Sequence, residues 1–257
     1  MKSKAKSWSN PGVIGSVLGL AAASLSTVLM ASFPIQPVVA EPSSQEHNPR
    51  IAPIQSHPGG KSYSQWAANW WQWALQTPAS TNPLLDKGKC SVGQKGRVWF
   101  IGGTFSGEAV VRDCTVPAGT SLFLPLINTF SGAFLNDPPE QRTEEYLRKQ
   151  VDYIKPENLT LLKAEIDGVP VKNPSQYLEK SPLFNVQLPK DNIYGVDESV
   201  IPQLRLSPSV DQGYYLFLEP LKPGKHTIKW QAKISSPTGN SEQNVTYNIV
   251  VKSEKDR

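Results

Sequence analysis

Apolar residues along this chain recur with a helical period in only two places and with a strand period in many. Ser62-Tyr63-Ser64-Gln65 has the spacing of a capping box. Thr77-Pro78 supplies a stop, because the residue before a proline avoids helical geometry. The pattern between them predicts a helix over Tyr63 to Gln76. Trp66, Trp70 and Trp73 fall on one face of it, Trp71 and Leu75 widen the apolar arc, and Gln65, Asn69, Gln72 and Gln76 form a polar stripe. A second helix is expected to start at Asn136-Asp137-Pro138-Pro139, with Glu140, Glu144 and Glu145 near its positive end, and to stop before Pro156. Tyr146, Leu147, Val151 and Ile154 would form its apolar face.

Strand-like runs are predicted at 97–101, 108–112, 121–127, 159–166, 169–171, 183–188, 214–218, 226–234 and 245–251, bounded by Gly, Pro and Asp turns. The first three read as a meander. The last two alternate: Ile228, Trp230, Ala232 and Ile234 take one side, and Thr227, Lys229, Gln231 and Lys233 the other. That is the mark of an antiparallel sheet with one wet face. Many short strands and two helices predict a mainly β fold, an antiparallel β-sandwich or jelly-roll-like domain over 62–257 with two edge helices.

Before that domain the pattern is of another kind. Lys2, Lys4 and Lys6 precede an apolar stretch from Val13 to Ala31 and the small-residue ending Val38-Val39-Ala40, so residues 1–40 read as a signal peptide cleaved after Ala40. No second apolar run of spanning length follows, and no membrane span is expected after cleavage. Residues 41–61, rich in Pro and Ser with Gly59-Gly60, read as a flexible linker. Removing the leader with its three lysines leaves 23 basic against 22 acidic side chains, a balance with no clustered positive charge for nucleic acid.

Export also decides the reading of the two cysteines. Cys90 and Cys114 would oxidise to a disulfide, and neither C-x-x-C spacing nor nearby histidines suggest redox or metal chemistry. With three histidines in the chain, a zinc site or a Ser-His-Asp triad has too few parts, so neither metal nor cofactor is expected; His226 simply begins a strand. Two acidic groups, Asp137/Glu140/Glu144/Glu145 and Asp191/Asn192/Asp197/Glu198, read as solvated charge, with glycoside hydrolysis or calcium as the chemical alternatives.

The tryptophans offer two readings: rings that dock the helix on the sheet, or rings of which one or two line a ligand platform. Trp71, off the shared face, is the platform candidate, and Arg112 and Asn128, at the ends of predicted strands, are candidates for a pocket rim.

Trp70-Trp71-Gln72-Trp73, Asn82-Pro83, Val98-Trp99-Phe100, Gly103-Thr104-Phe105, the run Cys114 to Gly119 with its V-P-A-G turn, and Pro125 to Asn128 occur together. In these the chain resembles a group of uncharacterised exported bacterial proteins, cyanobacterial and proteobacterial, over Tyr63 to Asn128 and more weakly over Pro223 to Ile228. The resemblance implies export and an envelope setting, periplasmic or extracellular, and carries over no catalytic residue. The expectation is a non-catalytic binder of a glycan or other envelope component. The alternatives are a carboxylate-based hydrolase or lyase using Glu140, Glu144 or Glu145, and a structural subunit using the tryptophan helix as a partner surface.

Overall fold

A computed structural model describes residues 50–236 and 239–253. The signal peptide and the first part of the expected linker lie outside the described residues.

The first helix, α1 (Tyr63–Gln76), has the bounds its caps dictate: Ser62 and Gln65 close a reciprocal capping box, and Thr77 ends the helix in extended geometry. Strands β1 (Val98–Phe100), β2 (Ala109–Pro117) and β3 (Ser121–Phe134) follow, then α2 (Glu144–Val151). The remaining strands are β4 (Leu159–Ile166), β5 (Val169–Pro170), β6 (Leu178–Lys180), β7 (Phe184–Gln187), β8 (Arg205–Leu218), β9 (Gly224–Ser236) and β10 (Gly239–Lys252).

They form two five-stranded sheets. Sheet A runs β1-β3-β8, with β6 and β7 both along the far edge of β8, and sheet B runs β2-β10-β9-β4-β5. The fold is mainly β with two helices, as expected, but neither sheet is purely antiparallel, since β1 pairs with β3 and β2 with β10 in parallel. The expected meander is corrected as well. β2 leaves its sequence neighbours for the other sheet, because Arg112, Cys114 and Val116 alternate as one buried face that pairs with the C-terminal strand.

Sheet B buries one face only: Ile228, Trp230, Ala232 and Ile234 of β9 and Val245, Tyr247, Ile249 and Val251 of β10 turn inward, with Trp230 stacked on Tyr247 at 5.9 Å. Sheet A is covered on both faces. Leu122 to Ile127 of β3 and Ser209 to Leu218 of β8 are buried without a break, because sheet B packs on one side and the helices on the other.

α1 lies across β3, β6, β7 and β8, and it is the rings that seat it. All four tryptophans are at most 8% exposed, so the docked reading holds for Trp71 as well as for the shared-face trio. A buried indole N–H needs an acceptor, and each finds one in a different part of the chain. Trp66 donates to the Pro58 carbonyl at 2.8 Å, Trp70 to Ile101 at 2.9 Å, Trp73 to Val92 at 3.1 Å, and Trp71 to the Asp211 carboxyl at 2.7 Å. Tyr63 adds a fifth tie, donating to the Ala52 carbonyl and accepting from the Phe217 N–H.

Those ties explain why residues 50–61 are no flexible linker. Ile51 bridges to Leu218, Ala52 N–H donates to the Phe217 carbonyl, and both side chains are buried, so this stretch completes the edge of β8. The second helix begins later than its prolines suggested. Thr143 is its cap, its hydroxyl oxygen accepting from the Tyr146 N–H, and Pro139–Arg142 is a separate 3-10 turn. Leu147 and Val151 pack with Ala133 and Val210 in a small cluster of their own.

Cys90 and Cys114 form the expected disulfide, tying β2 to the 82–97 loop, with Cα atoms 5.6 Å apart.

Replacing Trp66, Trp70, Trp71 or Trp73 by alanine should each lower stability by ~3 to 5 kcal/mol in urea unfolding, the usual loss for a buried aromatic ring. Loss below about 1 kcal/mol at all four would mean that the helix is not docked.

Candidate functional site

Two of the three residues singled out from sequence meet at one cleft. It opens where β1 ends: its pairing with β3 stops at Phe100 opposite Phe123, and the chain then veers off through Gly102 to Phe105. Trp70, Trp71 and Leu84 form one wall and Pro125 to Asn128 the other. A bulge at Leu126, between the Pro125–Tyr215 and Ile127–Tyr214 pairs, turns β3 at this point. Gly102 is required here, because a Cβ would come within 2.6 Å of the Trp70 ring.

Behind the wall lies a closed polar network. Asn128 donates from Nδ2 to the Tyr215 hydroxyl at 3.1 Å, the Tyr215 hydroxyl donates to Asp211 Oδ2, and that oxygen also accepts from Trp71 Nε1. Gly213 sits opposite Asn128 in the β3–β8 ladder. A Cβ there would approach the Asn128 Cβ to 2.5 Å, so glycine is what admits Asn128 to the network.

Asp211 is fully buried. Its main chain is held by Ser181, whose hydroxyl accepts from the Asp211 N–H at 2.8 Å, and by Arg148, which donates to its carbonyl. Oδ1 has no partner among the described residues. Desolvation outweighs the two bonds to Oδ2 and pushes the carboxyl up to about 7. Burial, and then the charge of Asp211, raises the Tyr215 phenol in turn.

Arg112 is placed otherwise. Its guanidinium donates to Asp86 at 2.6 and 3.2 Å, to the Gly102 and Gly103 carbonyls at 2.9 and 2.8 Å, and to the Leu84 carbonyl at 3.2 Å. These bonds use all five of its donors. Rather than offering a charge to a ligand, Arg112 holds the two segments that wall the cleft. The cleft itself measures about 70 Å³, room for a few water molecules and well short of a small-molecule pocket.

The acidic groups are also engaged. Glu144 pairs with Arg148 and Glu145 with Lys149 along the exposed side of α2. Asp191 accepts from Ser80, Asn192 bonds within its own loop, and Asp197 accepts from Ser199. Both ring nitrogens of His226 are bonded, to Asp167 at 2.7 Å and the Lys222 carbonyl at 2.8 Å. Among the described residues no group of three or more His, Cys, Asp or Glu side chains could hold a metal ion.

A roomier site surrounds a ring that the helix drew attention from. Trp99, in β1, follows the buried Val98 and, like Phe100, is half-buried and packs in part against the core. It lines a hollow of about 500 Å³ together with Arg97 and the Pro117-Ala118-Gly119-Thr120 turn. Among the described residues nothing accepts from its Nε1 and no ring stacks on it, whereas Trp66, Trp70, Trp71 and Trp73 each have both a ring contact and an acceptor. Gln94 closes the floor, donating to the Cys90 and Phe100 carbonyls and accepting from the Phe100 N–H. The signal for Trp99 was its place in the strand-like run Arg97-Val98-Trp99-Phe100. For Asp211 it was a lone acid between Val210 and Tyr214-Tyr215.

No family model matches the chain, and no curated protein does. Among solved structures, a chain described as "Structure of PbICP-C in complex with falcipain-2" is similar at 13% identity over 62% of this chain and all of that one, with a TM-score of 0.23. A likeness of that level carries no argument about this protein.

The buried carboxyl predicts a pH dependence. Its folded-state pKa lies above the ordinary carboxylate value, so its protonated form favours the folded state. That contribution is whole below about pH 4 and is lost as pH rises toward about 7, a change on the order of 4 kcal/mol. Asp211→Asn, which keeps an oxygen for Trp71 and Tyr215, should gain stability relative to the unaltered protein between about pH 4 and 7 in urea unfolding. An unchanged difference across that range would contradict the assignment.

Proposed function

We propose that the protein is exported and acts outside the cytoplasm as a non-catalytic binding protein for a glycan or another envelope component, with the Trp99 hollow as its platform. The observation that carries this reading is Trp99: a half-buried indole with a free N–H, facing a hollow of about 500 Å³, in a protein whose helix indoles are fully used. A flat aromatic ring stacks on the C–H face of a sugar, and the N–H donor and Arg97 beside it offer polar contacts to its hydroxyls.

Export is supported by the Cys90–Cys114 disulfide, which an oxidising compartment maintains, and by the leader-like residues 1–40. No helix among the described residues is long and apolar enough to cross a membrane. The resemblance to exported bacterial envelope proteins points the same way. Glu140, Glu144 and Glu145 give no support to a hydrolase, since the two on α2 are paired with cations of their own helix. The covered tryptophan helix likewise gives none to a partner surface.

Screened on a glycan array, the protein is expected to retain at least one ligand, and Trp99→Ala to weaken it by at least about tenfold while shifting the melting temperature by less than about 4 °C. Undiminished binding by the variant would remove Trp99 from the site.

A further inference from the structure

The outer face of sheet B carries a second array of ligand-type side chains, and strand register lines them up. Lys163 of β4 lies opposite Gln231 of β9, which lies opposite Asn244 of β10. Two residues along, Glu165 lies opposite Lys229, and Lys229 opposite Thr246. Thr246 in turn faces Val111 of β2, an apolar side chain 72% exposed. Residues paired across a sheet share a face, so two rows run side by side across β4, β9 and β10, and the second continues onto β2. Their residues on β4, β9 and β10 floor a hollow of about 430 Å³ with Pro170 and Pro174 at its edge, and Val111 lies beyond it.

The chemistry of the rows is specific. Gln231 and Asn244 each offer a donor and an acceptor, Thr246 a hydroxyl, and Val111 with the prolines an apolar surface. Lys229 is neutralised by Glu165 at 3.2 Å, whereas Lys163 has no ion-pair partner among the described residues. Strands step by about 4.8 Å across a sheet, close to the length of one pyranose ring, so successive strands present one polar side chain to each ring of an extended saccharide.

We propose that this face is a second saccharide site, separate from the Trp99 hollow, that takes an acidic saccharide of the uronic-acid class laid across β4, β9 and β10. Its carboxylate pairs with Lys163 and its hydroxyls bond to Gln231, Asn244 and Thr246. The proposal rests on the binding-protein reading for the class of ligand and on the sheet alone for the place.

Tetragalacturonic acid and the neutral cellotetraose, titrated by calorimetry and amide chemical shift into the protein, Lys163→Gln and Trp99→Ala, test it. Tetragalacturonic acid should saturate the unaltered protein and Trp99→Ala alike, shift the amides of Lys163, Gln231 and Asn244, and bind Lys163→Gln at least about tenfold more weakly. Equal binding by Lys163→Gln, shifts confined to residues 97–99 and 117–120, or no saturation would overturn the proposal. Loss of both sugars in Trp99→Ala alone would overturn it while leaving the Trp99 platform standing. Loss in Lys163→Gln alone, with no cellotetraose binding, would do the reverse.

Discussion

Four indole N–H groups that have to be buried, and so have to be paired, hold this structure together. α1 places Trp66, Trp70, Trp71 and Trp73 within eight residues of one another, and their acceptors lie at Pro58, Ile101, Asp211 and Val92. A hydrogen bond contributes about 1 kcal/mol net, but a buried donor left unpaired costs more than that. The rings therefore select the one arrangement in which the segment before the helix, the 82–97 loop, the end of β1 and the middle of β8 all reach it. Ring contacts add to the selection. Trp66 meets Phe100 and Phe217, Trp73 meets Phe100, and Trp71 lies on Phe130 at 5.0 Å.

Much else follows from that hub. With sheet A covered by α1 on one face and sheet B on the other, β3 and β8 read as continuous apolar and aromatic runs, and the wet face of the molecule falls to sheet B. Asp211 is the acceptor that a fourth ring demands, placed where no water reaches it, and Tyr215, Asn128 and Gly213 are arranged around that demand. Arg112 plays the corresponding part across the cleft, holding the Leu84 and Gly102–Gly103 carbonyls where Trp70 packs. The cleft where Trp71 and Asn128 meet is thus a by-product of seating the helix, while open surface remains at Trp99 and on sheet B.

Local signals were legible and long-range ones were not. The capping box and Thr77-Pro78 gave α1 its bounds, the Asp167-Gly168 turn separated β4 from β5, and the alternation over residues 227–234 gave β9, because these depend on neighbouring residues. The first half of β8 was missed: Pro208 and the polar run Asp211-Gln212-Gly213 break the strand pattern, and that run answers to distant partners, Asp211 to Trp71, Gln212 to the Ile154 carbonyl and Gly213 to Asn128. The parallel pairing of β2 with β10 joins residues more than a hundred positions apart, which no local pattern encodes. Residues 50–61 looked like a linker by composition, since the few apolar groups that anchor them, Ile51 and Ala52, pair with a strand at the other end of the chain. Trp71 was read as a candidate ligand platform, whereas it is buried and its indole N–H donates to a carboxyl of the core.

Hydrogen exchange of the indole N–H protons, read by NMR one tryptophan at a time, tests this account most directly. The N–H protons of Trp66, Trp70, Trp71 and Trp73 should exchange only through global unfolding, and that of Trp99 should exchange at close to the free rate. Rapid exchange at two or more of the four helix indoles, or protection of Trp99 equal to theirs, would contradict the claim that the buried indole bonds organise the fold and leave Trp99 free for a ligand.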